Sequence, residues 1–360
     1  MVKKLRYITY QTFPARTANS IQTISTIKHL SRAELETTLI YPLRNKKSSD
    51  NIVDIQKHYN FEDQINLIGT IHPLPFKKIK YFEKYWYLIS HLLWSFFTVQ
   101  KYFSSENEMY FTRSEWVFYF LSKKNANVIY ECHQISKFKK ILINKSLKKE
   151  KSKVIALTDE IKNEISPLFE SKVHIFSSAF DDDFFYEKSE KKNHIVYAGS
   201  LFRFGKSRGL EILFENLSKL KIDNLKIIII SSDEDEIKSF ENFDIDLEIY
   251  RKLNQEEVGE ILSSAKVGLL INNSTKHAEL YSSPLKYFEY IAAGLNVVAT
   301  DLISHRKLPL SAEINFYDEG NVESFESALI DAVNKENKNI TSVEDYSMTA
   351  RVNKILHLFK

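Results

Sequence analysis

Apolar and polar positions alternate over residues 5–10, whereas over 18–32 the apolar residues Ile21, Ile24, Ile27 and Leu30 recur every three. The first pattern predicts a strand and the second an amphipathic helix. A further strand is predicted at 36–41. This β-loop-helix-β opening is how doubly wound α/β domains begin, and it puts the loop at 11–17 on the carboxyl edge of the sheet. Strands are also predicted at 65–68, 109–112, 128–130, 154–157 and 173–176, with helices at 115–123 and 159–169. Residues 1–180 therefore read as one parallel-sheet domain.

Between 181 and 193 the chain turns polar, and 187–192 reads as a solvated linker. The alternation then restarts, with strands predicted at 195–198, 226–231, 247–250, 267–271 and 296–299 and helices at 210–220, 255–265 and 284–293. A second Rossmann-like domain is expected over 193–342. In the tail, Val352, Ile355, Leu356 and Phe359 share one helical side. That helix, 343–360, is expected to pack back on the first domain.

Composition agrees with two domains: 360 residues exceed one ordinary core. Hydrophobic residues at 43% and charged ones at 27% fit a globular chain rather than a disordered one. A net charge of +3 gives no general case for nucleic acid, and no base-reading motif accompanies the basic runs. Cys132 is the only cysteine, which excludes an internal disulfide and a cysteine-based zinc cluster and fits a reducing compartment. The opening residues are too short and polar an apolar run for a secretory signal, so a cytoplasmic protein is expected. Residues 85–103 are apolar, but His91, Gln100 and Lys101 make them a poor membrane span, so a buried or interfacial helix is expected. Cations and aromatics mix at 76–82, and 137–153 hold eight lysines against one glutamate. Such patches attract anionic headgroups, which predicts peripheral contact with the inner face of a membrane; solvated lysine faces are the alternative.

The chemistry concentrates in the second half. Ser282-Ser283-Pro284-Leu285-Lys286-Tyr287-Phe288-Glu289 predicts a helix start, with Ser283 as N-cap and Pro284 in the first helical position, and Gly294 ends the helix. Free N–H groups and the positive end of the helix dipole suit a diphosphate, and Lys286 adds a full charge. Glu289 lies one turn deeper on the same face, where a carboxylate accepts from a ribose diol. Phosphate and ribose together imply a nucleotide. Gly199 closes a strand and opens into Arg203, Lys206 and Arg208, a phosphate-facing loop or else a basic surface loop. Arg251 follows the strand at 247–250 and is a candidate for the base.

The run from Ser282 to Thr300 resembles the donor-binding signature of family 4-type retaining glycosyltransferases of the GT-B fold. There a Glu-x7-Glu pattern precedes Gly-x-Pro-Val-Val-Ala-Thr. Glu289 matches the second glutamate, which in that family holds the ribose. The first falls at Tyr281, with Glu279 and His277 as stand-ins. Val196-Tyr197-Ala198-Gly199-Ser200-Leu201 is similar to the strand opening the family's diphosphate loop. Ser200 occupies the arginine position, leaving open which of Arg203, Lys206 and Arg208 replaces it. Tyr130-Glu131-Cys132-His133 resembles the acidic-x-His segment whose histidine faces the donor sugar. Glu131, on the same strand face, either orients His133 or caps a neighbour. The 11–20 loop is similar to the acceptor loop; Thr17, Asn19 and Ser20 offer a helix cap, and Arg16 either meets an anionic acceptor or is a surface arginine. Asp181-Asp182-Asp183 resembles a metal-binding Asp-x-Asp, but its setting is that of the segment leaving the first domain, and no metal is expected.

The resemblance implies an α/β protein of GT-B fold, two Rossmann-like doubly wound domains facing across a cleft. Closure would bring His133 over the donor sugar. A nucleotide-diphosphate sugar is the donor substrate, with no other cofactor. It is held by Gly199, Ser200, Arg203, Lys206, Arg208, Arg251, Ser282, Ser283, Leu285, Lys286 and Glu289. Catalysis, with retention, falls to His133, Lys206, Arg208 and Glu289, and needs no covalent nucleophile. A glycan or lipid-linked saccharide of surface polysaccharide synthesis is the acceptor. The alternatives are a nucleotide-sugar epimerase and, favoured by Tyr281 and Ser200, an inactive nucleotide-sugar-binding subunit.

Overall fold

The computed structural model describes residues 3–44, 47–72, 83–184, 189–203, 206–215, 217, 222–231, 245–251, 253–337 and 343–360, with Lys84, Arg203, Lys206 and Ile212 described by backbone alone. The basic aromatic stretch at 76–82 lies outside these residues, as do residues 187–188 of the expected linker. Two compact units form: Met1–Ser177 with Met348–Lys360, and Ser178–Ser347. The chain crosses between them at 177/178 rather than after 180, so residues expected as linker belong to the second unit, and the return crossing falls at 347/348 instead of 342/343.

The first unit has seven parallel strands in the order β3-β2-β1-β4-β5-β6-β7. They are β1 (Lys3–Ile8), β2 (Leu35–Leu43), β3 (Asn66–Ile71), β4 (Met109–Thr112), β5 (Asn127–Cys132), β6 (Ser152–Ala156) and β7 (Val173–Ile175). Its helices are α1 (Ala18–Ser31), α2 (Ile52–Tyr59), α3 (Glu83–Tyr102), α4 (Glu115–Lys123), α5 (Lys137–Leu147) and α6 (Asp159–Glu164). Thr17 caps α1 through a capping box with Ser20, as the loop chemistry suggested. The helix expected over 159–169 ends at Glu164 because Ile165 turns extended ahead of Pro167, where a 3-10 turn, Pro167–Lys172, follows.

The second unit has six parallel strands in the order β12-β11-β8-β13-β14-β15. These are β8 (Lys192–Ala198), β11 (Lys226–Ile230), β12 (Leu247–Tyr250), β13 (Ala265–Leu270), β14 (Asn296–Thr300) and β15 (Asn315–Tyr317), with a small antiparallel pair, β9 (Phe202–Arg203) and β10 (Lys206–Ser207), on the loop after β8. Helices α7 (Leu210–Glu215), α8 (Gln255–Ser264), α9 (Lys276–Tyr281), α10 (Leu285–Ala292), α11 (Ile303–Arg306) and α12 (Val322–Asn334) connect them. Neither the short edge strand β15 nor α12 was predicted. The tail forms α13 (Met348–Leu358), which packs on α1 in the first unit.

Both units share one consequence of strand order. The order reverses between β1 and β4 in the first and between β8 and β13 in the second, and ligands of open α/β sheets bind outside the carboxyl ends at such a switch point. In the second unit β8 and β13 pair only as far as Val196 and Gly268 and then part. Tyr290 of α10 fills the gap: its hydroxyl accepts from Ala198 N–H at 3.0 Å and donates to Leu269 C=O at 3.3 Å. Gly268 makes room for the ring, since a Cβ there would lie 2.5 Å from Tyr290 Cδ2. Gly268→Ala should therefore lower the stability of the second unit by about 1–3 kcal/mol, read by urea unfolding. An unchanged midpoint would refute this packing role.

Candidate functional site

Because Lys286 stands four residues before Tyr290, the two share a helix face, and anchoring Tyr290 at the end of β8 carries Lys286 to the same strand end. Its ammonium lies 4.2 Å from the Tyr197 ring centroid and 3.8 Å from where a Cβ on Gly199 would stand. Gly199 has φ +140, a conformation that L side chains rarely adopt, and its N–H donates to Ile230 C=O at 2.9 Å. The glycine loop and the start of α10 thus meet at the switch point.

The cap of α10 differs from expectation. Pro284 is the N-cap, extended at φ −72 and ψ 123, and Leu285 is the first helical residue. Ser283 cannot cap because it is engaged with Ser178: its hydroxyl accepts from Ser178 N–H at 2.8 Å and its carbonyl accepts from Ser178 Oγ at 2.6 Å. Pro284, as N-cap, has no side-chain acceptor to offer the first turn of α10, and the helix start carries the positive potential that suits an anion. Ser282, at the end of α9, is buried.

Arg208 reaches the same strand ends from the loop after β10. Its Nη1 donates to Ile271 C=O at 2.7 Å and to Asn272 Oδ1. Asn272 continues into His305, whose ring is buried and pushed down to about 4 by that burial and by the nearby Lys286 and Arg208, against the raising hydrogen bond to Thr300. The sequence reading missed Asn272 and His305; the signal was an Asn-Asn pair directly after the strand that borders the switch point. Arg203 and Lys206 face each other across the β9–β10 pair, bringing their backbones beside Arg208. Ser200 is exposed on the same loop. Arg251 stands apart, exposed after the edge strand β12, with β11 between that strand and β8.

Glu289 is where its helical spacing put it, buried at 8% exposure. Burial, reinforced by Asp181 and opposed by Lys286, pushes its carboxyl up to about 7. Of the two stand-ins for the missing glutamate, Glu279 is committed elsewhere: Oε1 accepts from Ser274 Oγ at 2.6 Å and Oε2 from Ile303 N–H at 2.9 Å, capping α11. Tyr281 is buried and His277 packs edge-on against it. Asp181 Oδ1 accepts from Asp183 N–H at 3.2 Å, a local turn.

In the first unit, Glu131 at the end of β5 is the centre of a buried ionic cluster. Its Oε2 accepts from Arg351 Nη2 at 2.7 Å; its Oε1 lies 3.3 Å from Arg113 Nε and 2.5 Å from His133 Nε2. Burial alone would raise this carboxyl, but Arg351 and Arg113 outweigh it and hold Glu131 well below the ordinary range. Burial and the Arg113 guanidinium push His133 down to about 4. The neutral ring is flanked by Glu131 Oε1 at Nε2 and by Arg113 Nη2, which lies 2.9 Å from Nδ1 and also against Nε2. Glu131 thus orients His133, one of its two predicted roles, and both ring nitrogens face protein partners. Arg113 also donates to Asn19 C=O at 3.0 Å and Thr23 Oγ1 at 3.1 Å, tying the start of α1 to the end of β4. Arg113 and Arg351 were not singled out from the sequence, although Arg351 interrupts the apolar face of α13 between Met348, Val352 and Ile355. Cys132 is buried with its thiol pushed up to about 12, which leaves it unreactive.

The raised Glu289 carboxyl has a thermodynamic signature. An acid whose folded-state value is raised costs stability as pH climbs from its unfolded value of 4.5 to about 7, and the full cost persists above that. Glu289→Gln should stabilise the ligand-free second unit by about 3 kcal/mol at pH 8 and by about a quarter of that at pH 5. Urea midpoints that shift equally at both pH values would contradict a buried, strained carboxylate.

Residues 192–335 match the family described as Glycosyl transferases group 1. Among solved structures, the chain is similar to sucrose-phosphate synthase from Thermosynechococcus elongatus, at 13% identity and TM-score 0.65, covering 99% of this chain and 95% of that one. It is similar to WaaG, a glycosyltransferase involved in lipopolysaccharide biosynthesis, at 12% identity and TM-score 0.61, with 98% and 99% covered. It is also similar to the catalytic domain of starch synthase IV from Arabidopsis thaliana, solved bound to ADP and acarbose, at 9% identity and TM-score 0.61, with 100% and 99% covered. No curated protein matches the sequence.

Proposed function

We propose that this chain, which shares the fold of GT-B glycosyltransferases and matches the group 1 family over residues 192–335, is a glycosyltransferase that moves a sugar from a nucleotide-diphosphate donor, with retention, to a glycan or lipid-linked acceptor. The observation that carries the reading is the Lys286 ammonium against Tyr197 and Gly199 at the start of α10. A diphosphate there would receive Lys286, the first N–H groups of α10 and Arg208, with Lys206 and Arg203 as sequence candidates for further cations. As the glycosidic bond to the leaving phosphate breaks, negative charge grows on that oxygen, and cations fixed in advance stabilise it without reorganising. Glu289, one turn deeper, accepts from the ribose diol, and Arg251 remains the candidate for the base. His133, held by Glu131, orients acceptor or sugar on the first unit. An epimerase or an inactive binding subunit are the readings that the donor assay separates from this one.

Incubation with UDP-, GDP- and ADP-sugars should give transfer or slow hydrolysis with one of them. Lys286→Ala should weaken the matching nucleoside diphosphate by about 10- to 100-fold, whereas Glu289→Ala should weaken the diphosphate and the nucleoside but spare inorganic pyrophosphate. Binding without turnover for every donor would leave only the binding subunit.

The acceptor side has a membrane component in this reading, in surface polysaccharide synthesis at the cytoplasmic face. Among the described residues no helix is long and apolar enough to cross a membrane. Instead Phe97 and Phe96 of α3, Phe120 and Trp116 of α4 and Phe138 of α5 form a run of ring contacts across three neighbouring helices. Phe97 is 56% and Ile141 53% exposed, and Lys137, Lys140, Lys145, Lys148 and Lys149 are exposed around them. Apolar insertion with cations at headgroup level is how interfacial helices bind anionic lipid. Flotation should recover the protein with phosphatidylglycerol vesicles and not with phosphatidylcholine alone. Phe97→Asp with Ile141→Asp should abolish recovery; equal recovery on both vesicle types removes the membrane from the reading.

A further inference from the structure

We propose that Asn272 and His305 form a positioning pair that aims the Arg208 guanidinium at the donor diphosphate, an inference that rests on the reading of Arg208 as a diphosphate contact. The order of donors runs inward from the sheet. Thr300, the last residue of β14, accepts from His305 Nδ1–H at its carbonyl, at 2.8 Å. That bond fixes the proton on Nδ1 and leaves Nε2 as an acceptor. Asn272 Nδ2 lies 3.1 Å from Nε2 and can only donate to it. The amide is thereby held one way round, with Oδ1 turned to Arg208 Nη1. Asn272 is further pinned by its own N–H, which donates to Thr300 Oγ1 at 3.1 Å, and Thr300 in turn donates to the Tyr317 hydroxyl at 3.0 Å.

The pair has a charge consequence. Asn272 and Ile271 C=O hold one edge of Arg208 with neutral acceptors, so the guanidinium keeps its full charge. A carboxylate at position 272 would hold it as well and cancel that charge. Arg208 Nε is buried and has no acceptor among the described residues. A buried donor in that condition is costly, and an incoming phosphate oxygen is the group that would relieve it.

Calorimetry would compare the wild type with Asn272→Asp, His305→Phe and Arg208→Gln. The probes are whichever of UDP, GDP and ADP binds best and the matching nucleoside, with thermal midpoints recorded alongside. Asn272→Asp is expected to lower diphosphate affinity about 10-fold or more at an unchanged nucleoside affinity. His305→Phe, which frees the amide to turn, is expected to act in the same direction and keeps the test open if the aspartate variant does not fold. Diphosphate and nucleoside affinities falling together would make the pair merely structural and overturn the proposal. So would a weakened Arg208→Gln beside unaffected Asn272→Asp and His305→Phe. Unchanged diphosphate binding in Arg208→Gln would instead remove the underlying reading of Arg208.

Discussion

Tyr290 occupies the point on which the donor side of this protein depends. Two parallel strands that stop pairing leave a backbone N–H and a C=O to be satisfied in the interior, and a buried group left without a partner costs more than a hydrogen bond normally contributes. One phenolic hydroxyl meets both, from Ala198 and to Leu269, and Gly268 yields the space for its ring. The helix that carries Tyr290 can then sit in only one register. Lys286, Glu289 and the start of α10 inherit their places from that fit.

Charge is treated differently in the two units. In the second, Arg208 is held by neutral groups, Ile271 C=O with Asn272, so its charge stays available to an anion, and the Lys286 ammonium lies over the Tyr197 ring. Glu289 sits near them without the burial-offsetting partners that would keep it fully ionised. In the first, Glu131 is compensated by two arginines and a histidine and does no more than hold them. The tail helix is tied into that unit through Arg351, which explains why an amphipathic segment carries a buried arginine on its apolar face.

Much of this was legible in advance. The two alternating halves, the loop at Gly199, the helix expected over 284–293 and ended by Gly294, and the place of Glu289 on the same face as Lys286 all follow from periodicity, glycine and the end signals of helices. The errors were local. Ser283 looks like a cap by type, but Ser178, more than a hundred residues earlier, takes its hydroxyl. The 159–169 helix breaks where proline restricts its neighbours. Glu279 has the right chemistry for a sugar contact and is instead spent on capping α11.

The amino-acid order by itself determined which segments become strands or helices and which side of each is buried, because those follow from spacing within a few residues. It also determined which charges stand at helix starts and strand ends. Only the tertiary structure decided that β8 lies beside β13, and so that Gly199, Arg208, Asn272, Lys286 and His305 share one place. Periodicity records whether a face is buried and is silent on what buries it. Strand order is decided by the fit of whole layers, and a side chain such as Ser283, Glu279 or His133 acquires its partner only when that fit is complete.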